Sequence, residues 1–154
     1  MTRARWVPAV PFSALGTGCV AAGGLLSAVT AHAPTQATAW AVAYLVLVGG
    51  LTQLLFGAGR ALLSSPPPSP RRIATEVVGW NAANAAVLLG TLASIPAVLY
   101  AGAAVLIAEL VLLVHGGRGK GDTRRWVLYS YRGLALLIGI SVPVGLVLAA
   151  PGSG

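Results

Sequence analysis

The sequence predicts an all-α integral membrane protein, a bundle of five transmembrane helices with its N-terminus in the cytoplasm and its C-terminus outside. Three observations predict it. The 154-residue chain is 56% hydrophobic and 8% charged, with a mean hydropathy of +0.83, whereas a water-facing domain of this size needs about a quarter of its residues charged. Its apolar residues fall into runs of bilayer length, since about 20 residues at 1.5 Å each cross a hydrocarbon core of about 30 Å. All ten Lys and Arg residues then fall on one side of five crossings, as the bias that retains basic loops in the cytoplasm requires.

The first run, residues 10–31, follows Arg3 and Arg5 and ends at His32-Ala33-Pro34. A basic start, an apolar stretch and Ala31-His32-Ala33 also outline a secretory signal. Pro34 just beyond the cut, and a run long enough to span, favour an uncleaved first helix. The stretch Leu15–Cys19 outlines a lipoprotein cleavage site, but Gly16 stands where a large aliphatic residue is expected. Cys19 therefore reads as a small hydrophobe. As the only cysteine, it excludes an internal disulfide and a cysteine-based metal cluster.

The second run, 38–62, leads through Arg60 into the Pro-rich connector 64–72, which contains Arg71 and Arg72. Its prolines favour polyproline II and make a stiff cytoplasmic spacer. From Ile73 to His115 the chain is apolar for 43 residues, about twice one span, with Ser94-Ile95-Pro96 at the middle. Proline disfavours helix for its predecessor and removes a backbone donor, so the segment divides into antiparallel spans at 74–94 and 96–115. The Gly/Arg-rich loop 116–125 is cytoplasmic and precedes the fifth run, 126–149, which Gly139 and Pro143 make bendable. Trp6, Trp126, Tyr129 and Tyr131 fall at the inner interface, and Trp40, Tyr44 and Tyr100 at the outer. Residues 1–154 form a single membrane domain without an evident repeat. An odd number of spans argues against a two-fold inverted repeat within one chain.

Polar groups inside a membrane are costly and turn toward protein or water. Counted from the span centres, Gln53 and Glu109 lie about 6 Å toward the cytoplasm, Asn81 about 4–5 Å to the same side, and Asn84 near the midplane. Gln53, Asn81, Asn84 and Glu109 thus form an intramembrane polar layer on three helices, the best internal site in the chain. Glu109 is six residues inside the end of helix four and Arg132 six inside the start of helix five. Their matched depth makes Glu109–Arg132 a candidate ion pair, because either charge alone would be expensive. Glu76 and Asp122 are expected at the cytoplasmic surface, beside neighbouring arginines.

Gly49, Gln53 and Gly57 stand at i, i+4 spacing, with Arg60 near the end of the same face. Small residues let backbones approach, and a glutamine can bond across the contact, so the trio reads as a helix-packing seam. Gly16, Gly23 and Ser27 form a less regular stripe on helix one, and Gly102 shares a face with Leu106 and Glu109. His32 falls at the outer end of helix one and His115 at the inner end of helix four, so one iron cannot take both. No metal site or cofactor is expected, with a singly ligated haem as the lesser alternative. The loop Gly116–Gly121 lacks the strand and helix that a nucleotide-binding glycine loop requires.

The leading expectation is a non-enzymatic accessory or structural subunit that self-associates or packs on a larger membrane complex. The alternative is a small oligomeric transporter or channel with Glu109 in its polar layer, and a membrane-embedded enzyme is third. The partners expected are the bilayer, with anionic lipids at the cytoplasmic face, and a homo-oligomer or larger membrane complex. Nucleic acid is not expected, despite a net charge of +7, because the basic residues sit in short loops beside apolar runs. Heavy use of Ala, Gly, Val, Leu and Arg with one Lys points to a bacterial inner membrane.

Overall fold

A computed structural model describes residues 6–63 and 68–116, together with positions 129 and 133. Every regular element among the described residues is helical. A 3₁₀ turn, Val7–Ala9, leads into α1 (Val10–Thr30). Then follow α2 (Gln36–Tyr44), a π-helical segment (Leu45–Leu51) and α3 (Thr52–Leu63), which form one continuous rod. The remaining helices are α4 (Pro70–Leu92) and α5 (Pro96–Gly116). Two stretches, Val10–Thr30 and Gln36–Gly59, are long and apolar enough to cross a membrane.

Local chemistry sets the helix ends. Pro11 lies in the first turn of α1, where a missing N–H costs nothing. Thr35 caps α2 in a reciprocal box: its hydroxyl accepts from the Thr38 N–H at 3.1 Å and its own N–H donates to Thr38 Oγ1 at 2.9 Å. Ser69 accepts the Arg72 N–H at 3.3 Å, with Pro70 opening α4. The turn into α5 is made by Ser94 in the left-handed region (φ 55°) and by Pro96, the first residue of α5. A non-glycine residue there costs about 1 kcal/mol or more, and the backbone bond from the Ile95 N–H to the Gly90 carbonyl, 2.8 Å, accompanies it.

Glycines close two hairpins at backbone distance. Across the α1 contact, a Cβ at Gly50 would lie 2.5 Å from Val20 Cγ2 and 3.1 Å from the Gly16 carbonyl oxygen. One at Gly57 would lie 3.0 Å from the Phe12 Cβ. Across the α4–α5 contact, a Cβ at Gly102 would meet the Val87 backbone N at 2.8 Å, and one at Gly90 the Leu99 N at 2.5 Å. The pairs Gly90–Leu99, Val87–Gly102 and Gly79–Glu109 run antiparallel in register. The two hairpins meet differently. Between α3 and α4 the contact is made by long side chains, with Phe56 edge-on to Trp80 at 5.0 Å between ring centroids. Both rings are fully buried.

Among the described residues, many large apolar side chains are exposed. Val10, Leu25 and Val29 of α1, Val78 and Leu89 of α4, and Val111 and Leu112 of α5 are all at least half exposed, while Gln53, Glu76, Asn84 and Glu109 are buried. A water-soluble fold has the opposite distribution.

Candidate functional site

Beside the Phe56–Trp80 pair, the contact between the two hairpins carries a set of polar side chains. On α3, Gln53 is fully buried. Its Nε2 donates to the Gly49 carbonyl at 2.7 Å and to Asn81 Oδ1 at 3.1 Å. Asn81 Nδ2 returns the bond to Gln53 Oε1 at 3.2 Å and donates its other hydrogen to the Val77 carbonyl at 2.8 Å. Both amides therefore use both N–H donors, one on the partner and one on a carbonyl four residues back in their own helix. One turn along α4, Asn84 repeats the pattern. Its Nδ2 donates to the Trp80 carbonyl at 2.8 Å, and its Oδ1 accepts from the Tyr44 hydroxyl at 2.9 Å. Trp40 stacks on Tyr44, with ring centroids 5.1 Å apart. The Nε1 of buried Trp80 has no hydrogen-bond partner among the described residues.

Gln53 and Asn81 are thus brought together, and Asn84 joins the same face of α4 through Tyr44. Glu109 stands apart. It packs against Gly79, where an added Cβ would collide with its carboxylate. Gly79 and Asn81 are two residues apart, which places them about 200° apart around α4. Glu109 therefore shares a depth with the amides but lies on the other side of α4, within the α4–α5 seam, beside Leu106 and Leu110. At 9% exposure its carboxylate is buried, and Gly79 supplies the room. Arg132, expected as its ion-pair partner, lies outside the described residues, as does the side chain of Arg60.

One expectation from the sequence is corrected in part. Glu76 does pair with a neighbouring arginine, its Oε1 accepting from Arg72 Nε at 3.0 Å, one turn back on α4, but at 5% exposure it is buried rather than at a solvated surface. The arginine stem lets a guanidinium whose side chain is 53% exposed reach a buried carboxylate. Tyr44, expected at the outer interface, turns its hydroxyl inward to Asn84. Trp6 and Tyr100, by contrast, are exposed.

Of the proposed seam residues, Gly49 and Gly57 face α1: a Cβ at Gly49 would touch Cys19 at 3.4 Å, and Gly57 meets Phe12 and Ala9. Gln53 lies between them, with its backbone side toward Gly16 and its amide on α4. Gly16 and Gly23 of α1 are buried, whereas Ser27 is exposed. His32 is exposed at the end of α1, and no cluster of three metal-ligating side chains occurs among the described residues.

The π-helical segment is the element that sequence periodicity does not supply. The Thr52 N–H bonds to the Leu47 carbonyl five residues back, and the Thr52 hydroxyl donates to the same oxygen at 2.9 Å. Nothing in the composition Leu-Val-Leu-Val-Gly-Gly-Leu marks a wide turn. The one available hint is Thr52 directly after it, a hydroxyl able to bond back into its own helix.

Chemically, Gln53 and Asn81 satisfy each other and the backbone, and Asn84 bonds the Tyr44 phenol and the Trp80 carbonyl, an arrangement suited to fixing two hairpins in a medium that offers no competing hydrogen bonds. The chain matches no protein-family model, no curated protein and no solved structure.

Proposed function

We propose that the chain is a small multi-pass protein of a bacterial inner membrane, acting as a non-enzymatic accessory or structural subunit that self-associates or packs on a larger membrane complex. Five helices cross the bilayer, at about 10–31, 38–62, 74–94, 96–115 and 126–149, with the N-terminus inside and the C-terminus outside. The observation that carries this reading is the inverted distribution of polarity. Val10, Leu25, Val29, Val78, Leu89 and Leu112 face outward, while Gln53, Asn81, Asn84 and Tyr44 bond to one another inside. In hydrocarbon such polar groups must find protein partners, and here the Gln53 and Asn81 amides spend every N–H on each other and on the backbone. That closure favours a scaffold over a solute pathway.

The role of Glu109 in this reading is to pair with Arg132 of the fifth run, fixing that run beside α5. A second reading, an oligomeric transporter or channel, draws on one observation: a buried carboxylate seated in the Gly79 notch. Purified protein reconstituted in liposomes separates the two. The subunit reading expects a defined complex by mass in detergent and no proton or solute flux. Flux that disappears in Glu109→Gln would overturn it.

A further inference from the structure

Tyr44 and Gln53 both reach α4, at Asn84 and Asn81, although nine residues separate them. At about 100° per residue, nine α-helical steps would leave these two side chains about 180° apart, on opposite faces of the rod. A turn closed by an i→i−5 bond takes up one residue more than an α turn, so it rotates everything beyond it back by about 100°. The offset falls to about 80°, close to the 60° or so that separates Asn81 from Asn84 on α4. The wide turn at Leu45–Leu51 is therefore what gives the rod a single polar face.

That segment also has the means to change. Gly49 and Gly50 adjoin within it, and glycine adapts its backbone at little steric cost. The wide turn is held by side chains, with the Thr52 hydroxyl on the Leu47 carbonyl and Gln53 Nε2 on the Gly49 carbonyl. Its two ends are anchored unequally. Beyond it, α3 is fixed by Gly57 against Phe12, Phe56 against Trp80 and Gln53 on Asn81. Before it lies α2, nine residues long, which reaches α4 through the Tyr44 hydroxyl and otherwise rests on α1. Exchanging an i→i−5 bond for an i→i−4 bond keeps the backbone paired.

We propose that Leu45–Leu51 is a two-register switch: in the wide-turn register Tyr44 faces Asn84, and in an α-helical register α2 turns by about 100° so that Leu45 takes Tyr44's place. The first register closes the polar layer. The second leaves Asn84 Oδ1 open at the outer end of the same face while Gln53 and Asn81 stay paired. Tyr44 then turns away with its stacked Trp40, so a change at the exposed end of the rod is coupled to the interior.

Thiol trapping of the full chain in its native membrane tests this, with Cys19→Ala as background and a short bis-methanethiosulfonate as cross-linker. Three pairs are compared: Tyr44→Cys with Asn84→Cys, Leu45→Cys with Asn84→Cys, and Ala43→Cys with Asn84→Cys. The 44/84 pair should link fastest. The 45/84 pair should link to completion but about ten- to a thousandfold more slowly, as a minor state of 0.1–10% requires, and the 43/84 pair should not link. Deleting Val48 removes the extra residue, so the rod becomes α-helical with Tyr44 still on Asn84. In that variant 44/84 should persist and 45/84 should vanish. A 45/84 yield no greater than that of 43/84 in the full-length chain overturns the switch, even if the deletion variant does not accumulate. Equal 45/84 linking with and without Val48 also overturns it.

Discussion

Gln53 and Asn81 exchange two hydrogen bonds, of 3.1 and 3.2 Å, across the contact between the two helical hairpins. Each also spends its second N–H on a carbonyl of its own helix. A reciprocal pair of this kind replaces water with protein on both sides: removing Asn81 leaves Gln53 buried and short of its partner, and removing Gln53 does the same to a half-buried Asn81. The cost of a single substitution should therefore exceed the worth of the bonds themselves.

The first prediction concerns that pair. Gln53→Leu and Asn81→Leu should each destabilise the protein by about 1–3 kcal/mol. The double substitution should cost less than the sum, with a coupling of about 0.6–2 kcal/mol. Unfolding in mixed detergent and dodecyl sulfate micelles measures it, and strictly additive losses would count against the reciprocal bond.

Tyr44→Phe keeps the ring on Trp40 and removes only the hydroxyl from Asn84. It should cost about 0.5–1.5 kcal/mol in the same unfolding measurement. A Tyr44 serving as an interfacial anchor would show no coupling to Asn84→Leu, so the double variant distinguishes the two roles.

The glycines separate by what surrounds them. Gly18 and Gly24 have nothing within 4 Å of an added Cβ, so Gly18→Ala and Gly24→Ala should be neutral or stabilise by up to about 1 kcal/mol through helix propensity. Gly50→Ala and Gly102→Ala press on backbone atoms of the facing helix and should cost about 1–3 kcal/mol. Gly79→Ala drives a methyl into the Glu109 carboxylate and should be rescued in part by Glu109→Ala. Thermal unfolding of the five variants in one detergent gives the ranking.

On the proposed Glu109–Arg132 pair, Glu109→Gln and Arg132→Gln should each lower the amount of protein in the membrane, because each removes one partner of a charged pair. Joint replacement should recover much of the loss. Quantitative immunoblotting of membrane fractions reads the outcome, and independent, additive losses would reject the ion pair.

The helical class was legible because hydropathy and run length are local properties. The apolar composition and the break at Ser94-Ile95-Pro96 need no knowledge of neighbours. The polar layer was legible as a depth, since counting at 1.5 Å per residue places Gln53, Asn81 and Glu109 at one height. It was not legible as a geometry. Which side of α4 each residue meets depends on the glycine seam that draws α5 onto Gly79, and so Glu109 sits apart from the amides. The Tyr44–Asn84 contact was not legible, because constant helical periodicity puts Tyr44 opposite Gln53 and only the wide turn at Leu45–Leu51 reverses that. The pairing of Glu76 with a neighbouring arginine was legible, since Arg72 stands one turn before it, but its burial was not, because that depends on packing across helices.

The central claim, a multi-pass protein with basic loops inside and its C-terminus outside, is tested most directly by sided labelling. Single cysteines at Pro67, Gly117 and Ser153, in a Cys19→Ala background, are exposed to a membrane-impermeant maleimide in intact bacterial spheroplasts and again after lysis. Ser153→Cys should label in intact cells, and Pro67→Cys and Gly117→Cys only after lysis. Labelling of Pro67→Cys in intact cells, or protection of Ser153→Cys until lysis, would contradict the account.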